Sequence, residues 1–336
     1  MEIDKFLVIT TINAQNSPGV VKLLKFLEKN LLRAIIVADK KTPNWSSHPN
    51  IDFLSLEMQN DLWPNLSQKL PLNHYSRKNL GYLRAVSLGA ITILDTDDDN
   101  CPVSNPWEIK FEKYRLNHNV SWVNIYRYFG ERELWPRGLP LRCVHQELEI
   151  LSGSAEPLEI SCFQSIVDGD PDIDAIGRLL YPKQVLFLDE PPVILASGIC
   201  PTNSQATLWL RWLLPLLYLP STATFRMTDI WRGLVMQPAI QALGGSTVFG
   251  KLGFQQERNE HDLMKDFESE AAGHIHSEEV SNISISTWGS GDYQRNEISI
   301  LSGMLKIYEE LVARGIINPE EIAILKEWSL AVESIN

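Results

Sequence analysis

Asp95, Asp97, Asp98 and Asp99 place four carboxylates in five positions, directly after the apolar run Ile91-Thr92-Ile93-Leu94. A strand that runs into this much negative charge is unfavourable by itself, because close carboxylates repel one another. A divalent cation relieves the repulsion, since hard cations take oxygen ligands and keep positions open for phosphates. Open α/β sheets bind ligands at the carboxyl ends of their strands. The position therefore suits a metal-bridged diphosphate, and the plainer alternative is a solvated acidic loop. An EF-hand loop from Asp95 needs Gly and Glu where the chain has Asn100 and Pro106. Asp99 breaks the Asp-x-Asp-x-Thr pattern of phosphatases, and the Gly-Lys-Ser/Thr of a Walker loop is missing from the sequence. The Asp-x-Asp pattern of nucleotide-sugar enzymes fits in two registers, Asp95/Asp97 and Asp97/Asp99.

Other residues offer partners for such a site. Arg77-Lys78-Asn79 stands at the start of a helix, where cations and free N–H groups can hold phosphate, unless the pair is ordinary surface charge. Asp39 ends a strand, where an acid can contact a ribose or simply close a turn. Trp135-Pro136-Arg137-Gly138-Leu139-Pro140 is a rigid loop with one cation, either a clamp or a structural turn. Asp168, Asp170, Asp172 and Asp174 form a second acidic stretch without the Glu of a calcium loop. Asp229 opens a helix, as its cap or as a base facing a pocket. His261 lies in the polar run Asn259-Glu260-His261-Asp262 and becomes a ligand only if a metal lacks one.

The elements that must position these residues alternate. Strands are expected over Lys5 to Ile12, Arg33 to Asp39, Ile51 to Leu56 and Ile91 to Asp95, with a helix over Pro18 to Lys29 and another capped by Ser76. Alternation implies a parallel sheet, so the loops after Ile12, Ala38 and Leu94 should meet at one edge. Leu208 to Pro220 is expected to be a buried helix, with a membrane-facing lip as the lesser alternative. Ile230 to Leu243, Glu297 to Arg314 and a segment from Asn318-Pro319 read as further helices, and the polar stretch from Ala271 as a link. The division expected is 1–270 body, 271–296 linker and 297–336 helical tail.

Net charge is −12 and apolar content 44% over 336 residues, which argues for a globular protein and against nucleic acid or an anionic membrane as partner. Cys101, Cys143, Cys162 and Cys200 are dispersed, as in a reducing compartment. MEIDKFLVITTI lacks the basic flank of a signal peptide, and no transmembrane segment is expected.

Taken together, the motifs resemble the STELLO-type glycosyltransferase family. They are Ile9-Thr10-Thr11-Ile12-Asn13, residues 37–43, 75–82, 95–100, 135–140 and 168–175, Asn203-Ser204-Gln205 and residues 229–233. More distantly the chain is similar to the reversibly glycosylated polypeptides, which include UDP-arabinopyranose mutases. The resemblance covers roughly residues 5 to 270. It implies an α/β, GT-A-type nucleotide-diphospho-sugar transferase fold with a Rossmann-like, mostly parallel sheet, here followed by a C-terminal helical extension. It also implies a nucleotide-sugar donor, UDP-linked, and a Mn²⁺ or Mg²⁺ ion.

By that resemblance Asp99 would be the principal metal ligand and Asp97 would share the metal or the ribose, with His261 as a further ligand. Arg77 and Lys78 would face the diphosphate, and Asp229 would be the catalytic base. Thr11, Asn13, Asp39, Asn79, Asp98, Arg137, Asp172 and Asp174 join the substrate-binding set. Arg137 matches the arginine that becomes glycosylated in the mutases, but Thr228 stands where those enzymes carry an acid. The plant proteins' amino-terminal membrane anchor has no counterpart here, and the expectation is a cytoplasmic enzyme. The expected reaction moves a sugar from a UDP-sugar to a hydroxyl of a glycan, lipid or small molecule. The alternatives are a nucleotide-sugar mutase and a non-catalytic scaffold. The C-terminal helices would be the surface for any homo-oligomer.

Overall fold

The computed structural model describes residues 4–108, 114–116, 122–150, 159–256 and 262–335. Four parallel strands build the first half: β1 (Lys5–Thr10), β2 (Arg33–Val37), β3 (Ile51–Leu54) and β4 (Thr92–Thr96), in the order β3-β2-β1-β4. Each of these strands ends two residues before its expected limit except β4, which runs one further. In β1, Phe6 and Val8 enter one core while Leu7 and Ile9 enter the other. Both faces are covered, which is why β1 reads as a continuous apolar run rather than an alternation.

Three short strands follow in the chain: β5 (Asn100–Pro102), β6 (Arg115–Leu116) and β7 (Ile160–Ser165). The rest are β8 (Asp168–Gly169), β9 (Val193–Ile194), β10 (Ala206–Leu210), β11 (Ser246–Gly250) and β12 (Phe254–Gln256). The large sheet has nine strands, ordered β3-β2-β1-β4-β10-β7-β11-β9-β6, and a small sheet has the order β5-β12-β8. Within the large sheet five pairings are parallel and three, around β10 and between β9 and β11, antiparallel. The architecture is the expected α/β, Rossmann-like and mostly parallel sheet.

The helices are α1 (Pro18–Asn30), α2 (Leu56–Leu62), α3 (Pro64–Lys69), α4 (Lys78–Ser87), α5 (Ala175–Leu180) and α6 (Thr228–Ala242). Three more close the chain: α7 (Leu263–Ser290), α8 (Glu297–Ala313) and α9 (Glu320–Glu333). α1 covers one face of the sheet through Leu23 and Leu27. α4 and α6 cover the other, and α8 and α9 join the same core through the 211–217 stretch, α3 and α7. Gly81 sets how closely α4 lies on the strands: a Cβ there would stand 2.5 Å from Val37 and 2.6 Å from Val8.

Several expectations change. Ser76 does not cap α4; residues Tyr75–Arg77 form a tight turn before it, and the His74 side chain accepts the Ser76 N–H. Leu208 to Pro220 is not an α-helix. It is the end of β10 followed by a buried 3₁₀ stretch, Arg211–Leu217, consistent with Pro215, which cannot donate an α-helical hydrogen bond. The expected link at 271–296 is helical as far as Ser290, and α7 packs along α6. The apolar faces of α8 and α9 are buried against the chain's own body, so contact with a second copy would fall to exposed residues such as Ile298 and Leu330. Among the described residues no helix is long and apolar enough to cross a membrane. His261 lies outside the described residues.

Candidate functional site

A cavity of about 500 Å³ opens at the carboxyl ends of the first parallel strands. Thr10 to Asn13 come from the end of β1, Asp39 and Lys41 from the loop after β2, and Asp97, Asp98 and Asp99 from the loop after β4. The three loops meet at one edge, as the alternation predicts. Asn73, His74, Tyr75, Phe225, Arg226 and Gln256 complete the wall.

The strand settles which register of the aspartates belongs to the cavity. Asp95 is still inside β4 and fully buried. Lys78 Nζ meets it at 2.6 Å, Arg232 at 3.0 Å and the Tyr82 hydroxyl at 2.7 Å. Burial opposes its charge, but Lys78 and Arg232 outweigh burial and hold its pKa below the usual value. Asp95 is therefore an internal counter-ion, and the Asp97/Asp99 register faces the cavity.

Asp97 leaves the strand and is partly exposed. It accepts from the Tyr75 hydroxyl at 2.6 Å and from Lys78 Nζ at 3.1 Å. Burial pushes its carboxyl up to about 6, against the pull of Lys78 and with the help of Asp99. Burial also raises the Tyr75 hydroxyl well above its ordinary value, with Asp97 adding to it. Asp98 takes hydrogen bonds from the Thr11 hydroxyl and, at 2.7 Å, from the Asn13 amide. Thr11 and Asn13 thus hold the acidic loop and line the same cavity. Asp99 accepts from Gln256 Nε2 at 3.0 Å. Asp39 lines the cavity while accepting the backbone N–H groups of Asn73 at 2.7 Å and His74 at 3.0 Å. Burial lowers the pKa of His74 although Asp39 opposes it, which favours the neutral ring.

Other expected residues lie elsewhere. Arg77 is enclosed and does not face the cavity. Its guanidinium donates to Gln59 Oε1 at 2.9 Å, Leu70 O at 3.1 Å, and the Ser67 carbonyl and hydroxyl. Asn79 is buried one residue after Lys78 and exchanges hydrogen bonds with the Leu219 backbone. Lys78 is fully enclosed; Asp95 and Asp97 outweigh its burial and raise its pKa. It acts on the cavity through Asp97. A helix advances about 100° per residue, so adjacent cations at its start face different walls.

Arg137 is buried and holds Asp172 with two bonds of 2.8 Å, while its Nη2 lies 3.2 Å from both Asp229 oxygens. Burial opposes this charge, but Asp172 and Asp229 outweigh it and hold the Arg137 pKa well above normal. Asp229 is in the first turn of α6, as expected, and also accepts the Ser204 N–H at 3.2 Å. Met227, at the cap position of α6, makes no side-chain capping hydrogen bond, whereas Asp229 Oδ1 accepts the first-turn Ile230 N–H at 3.0 Å; Asp229 is not part of the cavity wall. Asp174 caps α5 through Gly177 N–H at 2.7 Å and accepts from the Trp135 indole at 2.7 Å. Arg137, Asp172 and Asp174 are thus a buried frame.

Sequence reasoning did not single out Phe225, Arg226 or Gln256. Phe225 is 55% exposed at the cavity, with the His74 and Tyr75 rings edge-on at 6.0 Å. Arg226 is anchored to Glu270 of α7 at 2.8 Å. The aromatic-cation pair Phe225-Arg226 just before a helix is a signal that could have found those two, and no comparable signal marks Gln256.

The cavity wall carries Asp39, Asp97, Asp98 and Asp99 against Lys41 and Arg226. Among the described residues no three His, Cys, Asp or Glu side chains converge as a ready cage. The donor set nevertheless fits a hard cation. Asp97 and Asp98 each engage one oxygen only, and the buried Gln256 Oε1 has no hydrogen-bond partner among the described residues. Carboxylate and amide oxygens without thiolates suit Mg²⁺ or Mn²⁺.

The nine-stranded Rossmann-like sheet with acidic residues at a strand's carboxyl end is consistent with the GT-A class of fold. No family model matches the chain. It is 30% identical over 242 residues to the Arabidopsis thaliana proteins named probable glycosyltransferase STELLO1 and probable glycosyltransferase STELLO2. The match takes in 63% of this chain and 31% of each plant protein, so the chain spans about a third of the length of these relatives. Over that stretch the chain is similar to these two proteins.

Proposed function

We propose that the chain is a metal-dependent glycosyltransferase that moves a sugar from a nucleoside-diphosphate donor, UDP-linked, to an acceptor hydroxyl. The observation that carries this reading is the cavity where Asp97, Asp98 and Asp99 meet the loops that follow β1 and β2. Asp97 and Asp99 would hold Mn²⁺ or Mg²⁺. When bound, the ion neutralises the diphosphate and acts as a Lewis acid toward it. Without a cation, the carboxylates of this wall would repel the donor's phosphates.

The chain's own residues then orient the donor. Asp39 Oδ1 is taken by the Lys40 and Asn73 N–H groups, and the lone pair that Oδ2 keeps beside His74 suits a ribose hydroxyl. Lys41 and Arg226 present cations to phosphate oxygens, where charge develops as the sugar–phosphate bond breaks. Phe225, His74 and Tyr75 offer aromatic surface to a base or sugar ring. Thr11 and Asn13 keep Asp98 in place. The acceptor oxygen bonds to the anomeric carbon as that carbon's bond to the diphosphate breaks; the acceptor proton passes to solvent water and the diphosphate departs with the bonding electrons. In this reading Asp229 and Arg137 anchor the start of α6, directly after the segment that carries Phe225 and Arg226. A mutase using Arg137 would need that side chain open to the donor, whereas it is 5% exposed and tied to Asp172.

The test is UDP release from a panel of UDP-sugars, with and without Mn²⁺. Release that depends on the metal with at least one donor is expected. The double substitution Asp97→Asn with Asp99→Asn should abolish metal-dependent UDP binding by calorimetry while the far-UV spectrum stays unchanged. UDP affinity that survives the double substitution would sink the proposal.

A further inference from the structure

Gln256 ends β12 and is 4% exposed, yet it lines the cavity beside the three aspartates. Its backbone position is fixed from both sides, since β12 pairs Gln256 with Asn100 on β5 and with Gly169 on β8. Gly169 has a φ of +89°, and a Cβ there would stand 2.5 Å from the Gln256 carbonyl oxygen. Only glycine permits β8 to approach this closely.

The side chain is asymmetric in its bonding. Nε2 donates to Asp99 Oδ2 at 3.0 Å, whereas Oε1 is buried with no hydrogen-bond partner among the described residues. The amide cannot be turned over, because that would set its oxygen against a carboxylate oxygen. A buried carbonyl without a partner is destabilising, so it marks a place where something is accepted. A sugar hydroxyl would satisfy the carbonyl but leave the carboxylate repulsion around it in place. A hard cation satisfies both at once, because Asp carboxylates and Gln carbonyls serve together as its oxygen ligands.

We propose that Gln256 Oε1 is a protein ligand of the divalent cation held by Asp97 and Asp99; this rests on the metal-dependent reading above. Gln256 then has two functions. Its NH₂ orients Asp99 and its carbonyl oxygen joins the ion. A neutral third ligand adds no further negative charge to the wall that must accept a diphosphate.

Mn²⁺ binding to the full chain tests this, measured with MnCl₂ alone and with MnCl₂ plus UDP by the loss of the free-ion paramagnetic resonance signal. Gln256→Met keeps length and burial but removes both functions of the amide. It should weaken Mn²⁺ binding about 10- to 100-fold, the range seen when groups around a metal site are lost. Gln256→Glu removes the NH₂ but keeps an oxygen, and should bind Mn²⁺ at least as well as the unaltered chain. Equal affinity of Gln256→Met and the unaltered chain overturns the ligand assignment and leaves the metal site itself standing. Equal weakening by Met and Glu also overturns it, since Gln256 would then act only by orienting Asp99. Absence of Mn²⁺ binding in the unaltered chain overturns the metal-dependent reading as well. Should Gln256→Met fail to fold, double resonance on unaltered protein with ¹³C in its glutamine side-chain carbonyls reads the same contact. A ¹³C coupling to bound Mn²⁺ is expected, and its absence overturns the proposal.

Discussion

Arg77 donates to Gln59, Ser67 and Leu70, and among the described residues no carboxylate forms an ion pair with it. Gln59 in turn donates to Ala38 O and Leu54 O at the ends of β2 and β3, so one guanidinium ties α2 and α3 to the sheet edge. Arg77→Ala should destabilise the protein by roughly 3 kcal/mol or more, since each buried acceptor left unpaired costs about 1–3 kcal/mol. Arg77→Lys should not restore stability, because one ammonium cannot serve the fork of acceptors. Any loss of affinity should be equal for uridine and UDP. Thermal melts and paired titrations check this, and an Arg77→Ala protein of normal stability with a selective loss for UDP would refute it. The acidic cluster was legible because four carboxylates after an apolar run need an explanation in any fold. The roles of Arg77, Lys78 and Asp95 were not, because each depends on partners distant in the chain. Asp95 tolerates burial through Lys78 and Arg232, and nothing in the local sequence announces Arg232 as its counter-ion.

At the scale of elements, the start of α6 is held by the Arg137, Asp172 and Asp229 triad, which joins three separate segments. Asp229→Asn removes one charge from Arg137 but leaves the two-bond pair with Asp172. The cost should be roughly 1–3 kcal/mol, below that of stripping a buried pair entirely. A residue that anchors α6 should lose melting temperature, with transfer measured well below the melt staying close to normal. A general base should instead show normal stability and a turnover loss of about 10²–10⁴-fold. Measuring both on the same protein decides between them. The parallel strands and α1 were legible because their apolar periods are strong. α7 was not, because most of its buried positions are small or polar (Asp266, Glu270, Gly273, Ser277, Ser281 and Ser284), with Val280, Ile283 and Trp288 the apolar ones among them. Small residues let α7 approach α6 closely, with Ser284 donating to Val235 O at 2.7 Å and Gly273 against Met227. The composition that permits this packing also looks like a linker.

At the scale of the molecule, the last two helices belong to the same core as the sheet. Ile300, Ile307, Leu325 and Trp328 share one buried cluster with Phe6, Val8 and Tyr82. The fully buried Glu321 of α9 accepts the Tyr218 hydroxyl, the Ser221 N–H at 2.9 Å and the Thr222 N–H at 2.7 Å. Trp328 donates to Pro215 O at 3.1 Å. The same 215–222 segment binds Asn79 through Leu219, one residue from Lys78 and its contact with Asp97. A tail that merely followed the catalytic body would unfold separately. Here a single cooperative calorimetric transition is expected for the full chain, because one continuous core melts as a unit. Glu321→Ala should lower that transition as a whole, since it leaves the buried Ser221 N–H and Tyr218 hydroxyl unpaired, each at a cost of about 1–3 kcal/mol, besides the part-buried Thr222 N–H. It should not create a second, earlier transition. Removal of residues 297–336 should give a protein that aggregates rather than an intact body that binds UDP, because the covered faces of the 211–217 stretch and α3 would be laid bare. Two resolved transitions, or a truncated chain that melts and binds like the whole, would make the last helices an independent tail and return the chain to the division expected from its sequence.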